Sequence, residues 1–384
     1  MKKAFLLLLC GAFAFCACQK DRVPSKDSTL DGKTVDVSFI STSAQKLFVL
    51  NEGGMGSNNA TLDFLRFSDG KYITGAFKKM NPEIAAGLGD VGNDIAIHGE
   101  EAWIVVNNSG IVEVISAYEE TEIAAIKVPT PRNIAFDNTY AYVTSWAGAY
   151  VTYGADYSVA DSKNPKGQVY RINLNTKKVE GSVEVGYQPE GIACYNGKLY
   201  VANSGGIASQ LPPTYSYDNT VSVIDAASFK VEKTVEVQVN LKIVYSDGTG
   251  NIYVTTLGNY WDIHSGLYML KAAAPEQVNW VADYVSVSAL CGDTVYCIGT
   301  DSEYDWSGAP HTYSAWSVTG GTKKALSLTL TETTPYGLAV LDADTFLLGD
   351  AGDYFNPGTV SCYYKGTKRW DVTAGVCPGH FALY

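Results

Sequence analysis

Pro189-Glu190-Gly191-Ile192-Ala193, then the turn Asn196-Gly197, then Tyr200-Val201-Ala202-Asn203, is the stretch whose reading decides the fold. Two apolar runs of strand length flank a two-residue turn of the kind that closes a hairpin. Variants of the first run recur as Gly92-Asn93-Asp94-Ile95-Ala96, Pro131-Arg132-Asn133-Ile134-Ala135 and Asn240-Leu241-Lys242-Ile243-Val244. Further copies read Val287-Ser288-Ala289-Leu290, Pro335-Tyr336-Gly337-Leu338-Ala339 and Pro378-Gly379-His380-Phe381-Ala382. Neighbouring copies lie 39 to 58 residues apart. That period holds four short strands and is the signature of a β-propeller.

Strand two of each unit repeats as well. Trp103, Tyr142, Tyr200 and Phe346 each stand eight residues after the central apolar residue of their unit. Alternating third strands follow, such as Thr220-Val221-Ser222-Val223-Ile224-Asp225, and then fourth strands such as Val231 to Val237. Strict alternation suits strands whose two faces enter the layers on either side of a blade. Phe48-Val49-Leu50-Asn51 is a second strand with no first strand before it, and Phe381-Ala382-Leu383-Tyr384 is a first strand with no second after it. Joining them predicts an all-β, seven-bladed propeller with four-stranded blades over residues 45–384, closed by its two terminal strands.

The chain of 384 residues carries 28 Lys and Arg against 40 Asp and Glu, a net charge of −12. Nucleic acids and anionic lipid surfaces both require a basic face, so neither is expected as a partner. With 37 Gly, 26 Tyr and only 4 Met, the composition favours turns and strands over helices.

Met1-Lys2-Lys3 followed by an apolar run from Ala4 to Phe15 has the form of a secretion signal and is too short to remain as a membrane span. Ala17 before Cys18 matches a bacterial lipoprotein cleavage box, giving a signal peptide over 1–17 with Cys18 lipidated. The alternatives are Cys16 as acceptor, or an ordinary signal peptide cut nearby. Residues 18–44 are polar and are expected to form the lipid anchor and a flexible tether. Cys194, Cys291, Cys297, Cys362 and Cys377 are scattered and odd in number, which favours buried free thiols.

In a propeller the loops joining strands two and three share one face with the links between blades. These loops vary most in length here, and they hold Trp146, Tyr150, Tyr153, Tyr157, Tyr215, Tyr217, Tyr260, Trp261, Tyr304, Trp306 and Tyr354. Long aromatic loops on a rigid ring point to binding. Tyr and Trp offer broad contact area at little rotamer cost, and a bowl of them rimmed by Asn and Asp suits a large, flat, amide-bearing ligand. Asp262, His264, Asn51 and Arg132 complete the expected ligand-binding set. Asp94, Asn133, Lys242, Ser288 and His380 form a mixed ring at the channel mouth without an evident acid–base pair. No metal-ligand spacing, nucleophile elbow or phosphate loop occurs, so no enzyme activity, catalytic residue or catalytic cofactor is expected.

Gln188-Pro189-Glu190-Gly191-Ile192-Ala193, Tyr200-Val201-Ala202-Asn203 and Asn219-Thr220-Val221-Ser222-Val223-Ile224-Asp225 resemble the repeats of the YVTN/YncE-like β-propeller family. Together with a lipoprotein start, the chain resembles the BtuG surface cobalamin-binding proteins of gut anaerobes. That resemblance implies an outer-membrane, surface-exposed lipoprotein that captures cobalamin (vitamin B12) and passes it to a TonB-dependent transporter of the BtuB type. His264 or His311 would then stand near cobalt, as a ligand or a hydrogen-bond partner. Two alternatives use the same fold: a protein- or glycan-binding propeller, and a calcium-dependent lactonase-like hydrolase or quinoprotein-like oxidase.

Overall fold

The computed structural model describes residues 26–300 and 311–384. Seven antiparallel sheets form a closed ring of blades. The inner strands are Gly92–His98, Pro131–Phe136, Pro189–Tyr195, Leu241–Ser246, Val285–Cys291, Pro335–Asp342 and Pro378–Leu383. Each contains the apolar anchor expected of it. The last of them pairs with Lys46–Asn51, with Leu47 opposite Leu383 and Val49 opposite Phe381. Both chain ends therefore build one blade.

The stability of the ring lies between blades. Seven apolar clusters fill the seven gaps, as where Trp103, Val112 and Val114 meet Ile134, Val143 and Ile172. The repeated second-strand aromatics Trp103, Tyr142, Tyr200, Tyr253, Tyr296 and Phe346 are all buried there. Near the axis the inner strands approach so closely that a Cβ on Gly191 would lie 2.5 Å from the backbone nitrogen of Val244. Only glycine fits that contact.

Six residues immediately before inner strands have left-handed backbone: Val91, Thr130, Gln188, Asn240, Tyr284 and Cys377. Their geometry aims a carbonyl at the residue after strand two, as in Asn107 N–H to Val91 O at 2.7 Å and Leu257 N–H to Asn240 O at 2.9 Å. Positive φ is unfavourable for such side chains, Val91 above all, so the closed ring enforces it.

Residues 26–44 depart from the expected tether. Lys33–Thr34 adds a fifth strand by pairing with Lys71–Ile73. Val35 is buried, and the Phe39 ring lies 5.0 Å from that of Tyr364. Asp27 is 1% exposed and makes an ion pair with Lys46 at 2.8 Å. Polar composition hides this packing because only a few apolar residues, Val35, Val37, Phe39 and Ile40, join the core, beside the charge pairing at Asp27. The proposed signal sequence, Cys18 and residues 19–25 lie outside the described residues. No described helix is long and apolar enough to cross a membrane. All five cysteines among the described residues are free, with Cys297, Cys362 and Cys377 buried and Cys194 and Cys291 half-buried.

Candidate functional site: an aromatic face over a charged channel mouth

The loop after Ser145 carries its own two-stranded hairpin, Tyr150–Tyr153 with Val159–Lys163, standing out from its blade. Tyr150, Tyr153 and Tyr157 on it are exposed, and the Tyr150 hydroxyl donates to Asp161 at 2.7 Å. Tyr215, Tyr260, Trp261 and Tyr354 are exposed on neighbouring loops, Trp261 to 86%. Tyr217 is half-buried, and Asp262 is exposed. Phe355, 85% exposed, belongs to the same face and was not among the sequence candidates. Tyr304 and Trp306 lie outside the described residues.

These rings are held on fixed turns. The Asn259 side-chain oxygen accepts the backbone N–H groups of Trp261, Asp262 and Ile263 at 2.9–3.1 Å, while its amide donates to Asp262 at 2.7 Å. Asp353 accepts from the N–H groups of Phe355 and Asn356 at 3.0 and 2.8 Å. Asp156 binds the N–H and hydroxyl of Ser158 around Tyr157. Such Asx turns fix a loop without secondary structure. Tyr157, Tyr215, Tyr260 and Tyr354 all have φ between 46° and 67°. Bulky side chains rarely adopt that conformation.

One expected contact is corrected. Asn51 is fully buried, its amide donating to the Thr61 hydroxyl at 3.0 Å, so it supports strand pairing and cannot reach a ligand. Trp146 is half-buried against Ala149, Ile207 and Leu211. Its ring also lies under the Arg132 guanidinium at 4.5 Å. His264 packs against Tyr284 with centroids 4.8 Å apart, and His311 is 6.4 Å from Tyr313. Among the described residues, no cluster of three His, Cys, Asp or Glu side chains could hold a metal ion.

Beneath this face the channel holds a cavity of about 530 Å³. The second residue of successive inner strands lines its mouth, namely Asn93, Arg132, Glu190, Lys242, Ser286 and Tyr336. Arg132 Nε donates to Glu190 at 2.9 Å, and the Tyr336 hydroxyl donates to Glu52. Asp94 accepts from the Ile134 and Ile95 N–H groups at 3.0 and 2.9 Å and from Asn133 at 3.2 Å. Burial outweighs these bonds and pushes the Asp94 carboxyl up to about 6. Tyr245 donates to the Ser288 carbonyl at 2.8 Å. Rim and mouth are continuous, because Tyr354 packs edge-on to Tyr336 at 5.8 Å and Trp146 touches Arg132.

The fold just described has solved counterparts. The chain is similar to a structure titled Kuenenia stuttgartiensis Hydrazine Synthase, with TM-score 0.57 and 14% identity over 75% of this chain and 88% of that one. At that identity the likeness is one of fold alone. No protein-family model matches the chain, and no curated protein does.

Proposed function

We propose that this propeller is a non-catalytic capture protein that binds cobalamin on its loop-rich face. In this reading Cys18 carries a lipid, the protein sits at the outer surface of an outer membrane, and the cargo passes to a TonB-dependent transporter of the BtuB type. The observation that carries the proposal is the set of exposed aromatics gathered on one face: Tyr150, Tyr153, Tyr157, Tyr215, Tyr260, Trp261, Tyr354 and Phe355. Apolar area of that kind in water, fixed by turns and partly in strained backbone, is what a preorganised binding surface needs. A corrin ring is broad and partly apolar, with amides around its rim. Tyr and Trp faces would cover its plane, while Asp262 and the Tyr hydroxyls would meet the amides.

The deciding experiment is calorimetric titration of the purified chain with cyanocobalamin. Saturable binding at micromolar concentration supports capture, and its absence overturns the ligand. Metabolic labelling with a fatty acid, compared between wild type and Cys18→Ala, tests the anchor. Protease shaving of intact cells tests which side of the membrane the propeller occupies.

A further inference from the structure

The channel mouth contains a cation with no ion-pair partner among the described residues. Arg132 is committed to Glu190 and to the Trp146 ring, and Glu52 is engaged by Tyr336. Lys242 stands at the equivalent strand position in the next blade and lines the same cavity. Among the described residues it has neither a carboxylate within ion-pair distance nor a hydrogen bond. Its surface faces the lumen and is open to water there, yet protein surrounds it. Burial pulls its ammonium below the ordinary lysine value, outweighing attraction to Glu190 and Glu52.

His380 faces this cavity from the closing strand and also has no hydrogen bond among the described residues. Burial, then Lys242, then Arg132 hold its protonation down to about 3. The imidazole senses both cations, in a lumen that the carboxylates of Glu190, Glu52 and Asp94 also line.

We propose that the channel mouth is a binding site for the oxyanion of a small organic molecule, a carboxylate or a phosphate group, with Lys242 as its counter-charge and the His380 imidazole as a hydrogen-bond partner. Arg132, Glu190, Glu52 and Asp94 already have partners in the lumen, so Lys242 is the cation left to meet an incoming anion. The cavity of about 530 Å³ is several times larger than one such group. Ile192, Val244, Val287 and Leu338 line the remainder and would receive an apolar body. Arg132 is a poor primary ligand because moving it would strand Glu190. This proposal stands on the channel alone and is independent of what the aromatic face binds.

The test uses the full soluble chain and two probes, inorganic phosphate and succinate, each titrated at constant ionic strength. At least one should bind, and which one does separates the phosphate class from the carboxylate class. Lys242→Gln should weaken that binding about tenfold or more at an unchanged melting temperature, and Lys242→Arg should retain it. Binding should also raise the His380 pKa, read from its imidazole resonances, because an anion beside the ring favours the imidazolium. No binding of either probe at millimolar concentration, or equal binding by Lys242→Gln, overturns the proposal. Cyanocobalamin titrated separately into Lys242→Gln keeps this result distinct from that of the aromatic face.

Discussion

The guanidinium of Arg132 lies 4.5 Å from the indole ring of Trp146. The contact joins the channel mouth to the aromatic face, since Arg132 also bonds Glu190 across the mouth at 2.9 Å. Trp146 is thus part of the support for an ion pair as well as a wall of the satellite core with Ile207 and Leu211.

This arrangement separates two tryptophans that look alike in sequence. Trp146→Ala should destabilise the protein by about 1–3 kcal/mol, through lost packing and lost cation–π attraction. Trp261→Ala should change stability by less than about 0.5 kcal/mol, because its ring is 86% exposed. Under the capture reading Trp261→Ala still weakens ligand binding by about 1–3 kcal/mol. Urea unfolding of both variants, with calorimetry on the second, checks the pair. Equal stability losses would contradict the packing assigned to Trp146.

Left-handed backbone at Tyr157, Tyr260 and Tyr354 reverses the usual order of alanine and glycine. At an ordinary exposed position glycine is the less stable of the two, by about 0.5–1 kcal/mol. Here Tyr260→Gly should be more stable than Tyr260→Ala by about 1 kcal/mol, since alanine keeps the steric penalty that glycine lacks. The same order is expected at 157 and 354. Melting temperatures of the three Ala/Gly pairs test it, and alanine ranking above glycine would show that these turns are not left-handed.

The architecture was legible because two separate signals repeat in register: the inner-strand anchor and the aromatic eight residues later. Inter-blade packing requires both, so both survive in the sequence as pattern. Asn51 misled because a polar residue at a strand end reads as a rim group, whereas the pairing of both termini buries it against Thr61. The Arg132–Glu190 pair was present in the register and overlooked, since aligning the repeats at Pro131 and Pro189 sets residues 132 and 190 on neighbouring strands. Backbone handedness at the exposed tyrosines leaves only a faint trace, the adjacent Asp156, Asn259 and Asp353 that build the turns.

Residues 26–44 give a third prediction. Lys46 Nζ lies 2.8 Å from Asp27 and 2.5 Å from Glu120, and both carboxylates are buried. Lys46→Met leaves buried Asp27 with only the more distant Arg66 guanidinium, 3.6 Å away, and should cost about 3–5 kcal/mol. Starting the chain at residue 45 in place of residue 19 should also lower stability, because it removes Asp27, Val35 and the added edge strand. A freely mobile tether would be dispensable. Chemical denaturation of the two truncations distinguishes these outcomes.

The last prediction concerns acid. His380 is neutral in the folded protein down to about 3, while the unfolded imidazole titrates near its ordinary value of 6.5. Between those values the unfolded chain binds the extra proton, so this group's contribution to stability falls as pH drops below 6.5. Asp94, raised to about 6, acts oppositely: its folded form holds a proton that the unfolded form has lost, so its contribution falls as pH rises from 3.8 to 6. Glu113 and Glu120, both raised to about 8 chiefly by burial, share the sign of Asp94 over a higher window. The wild-type profile mixes these slopes, and comparison with His380→Gln isolates one of them. Relative to its difference at pH 7, the variant should gain about 1–2 kcal/mol on wild type by pH 4.5, since glutamine has no proton to take up on unfolding. Parallel stability curves for the two proteins would mean that His380 is freely protonated in the channel.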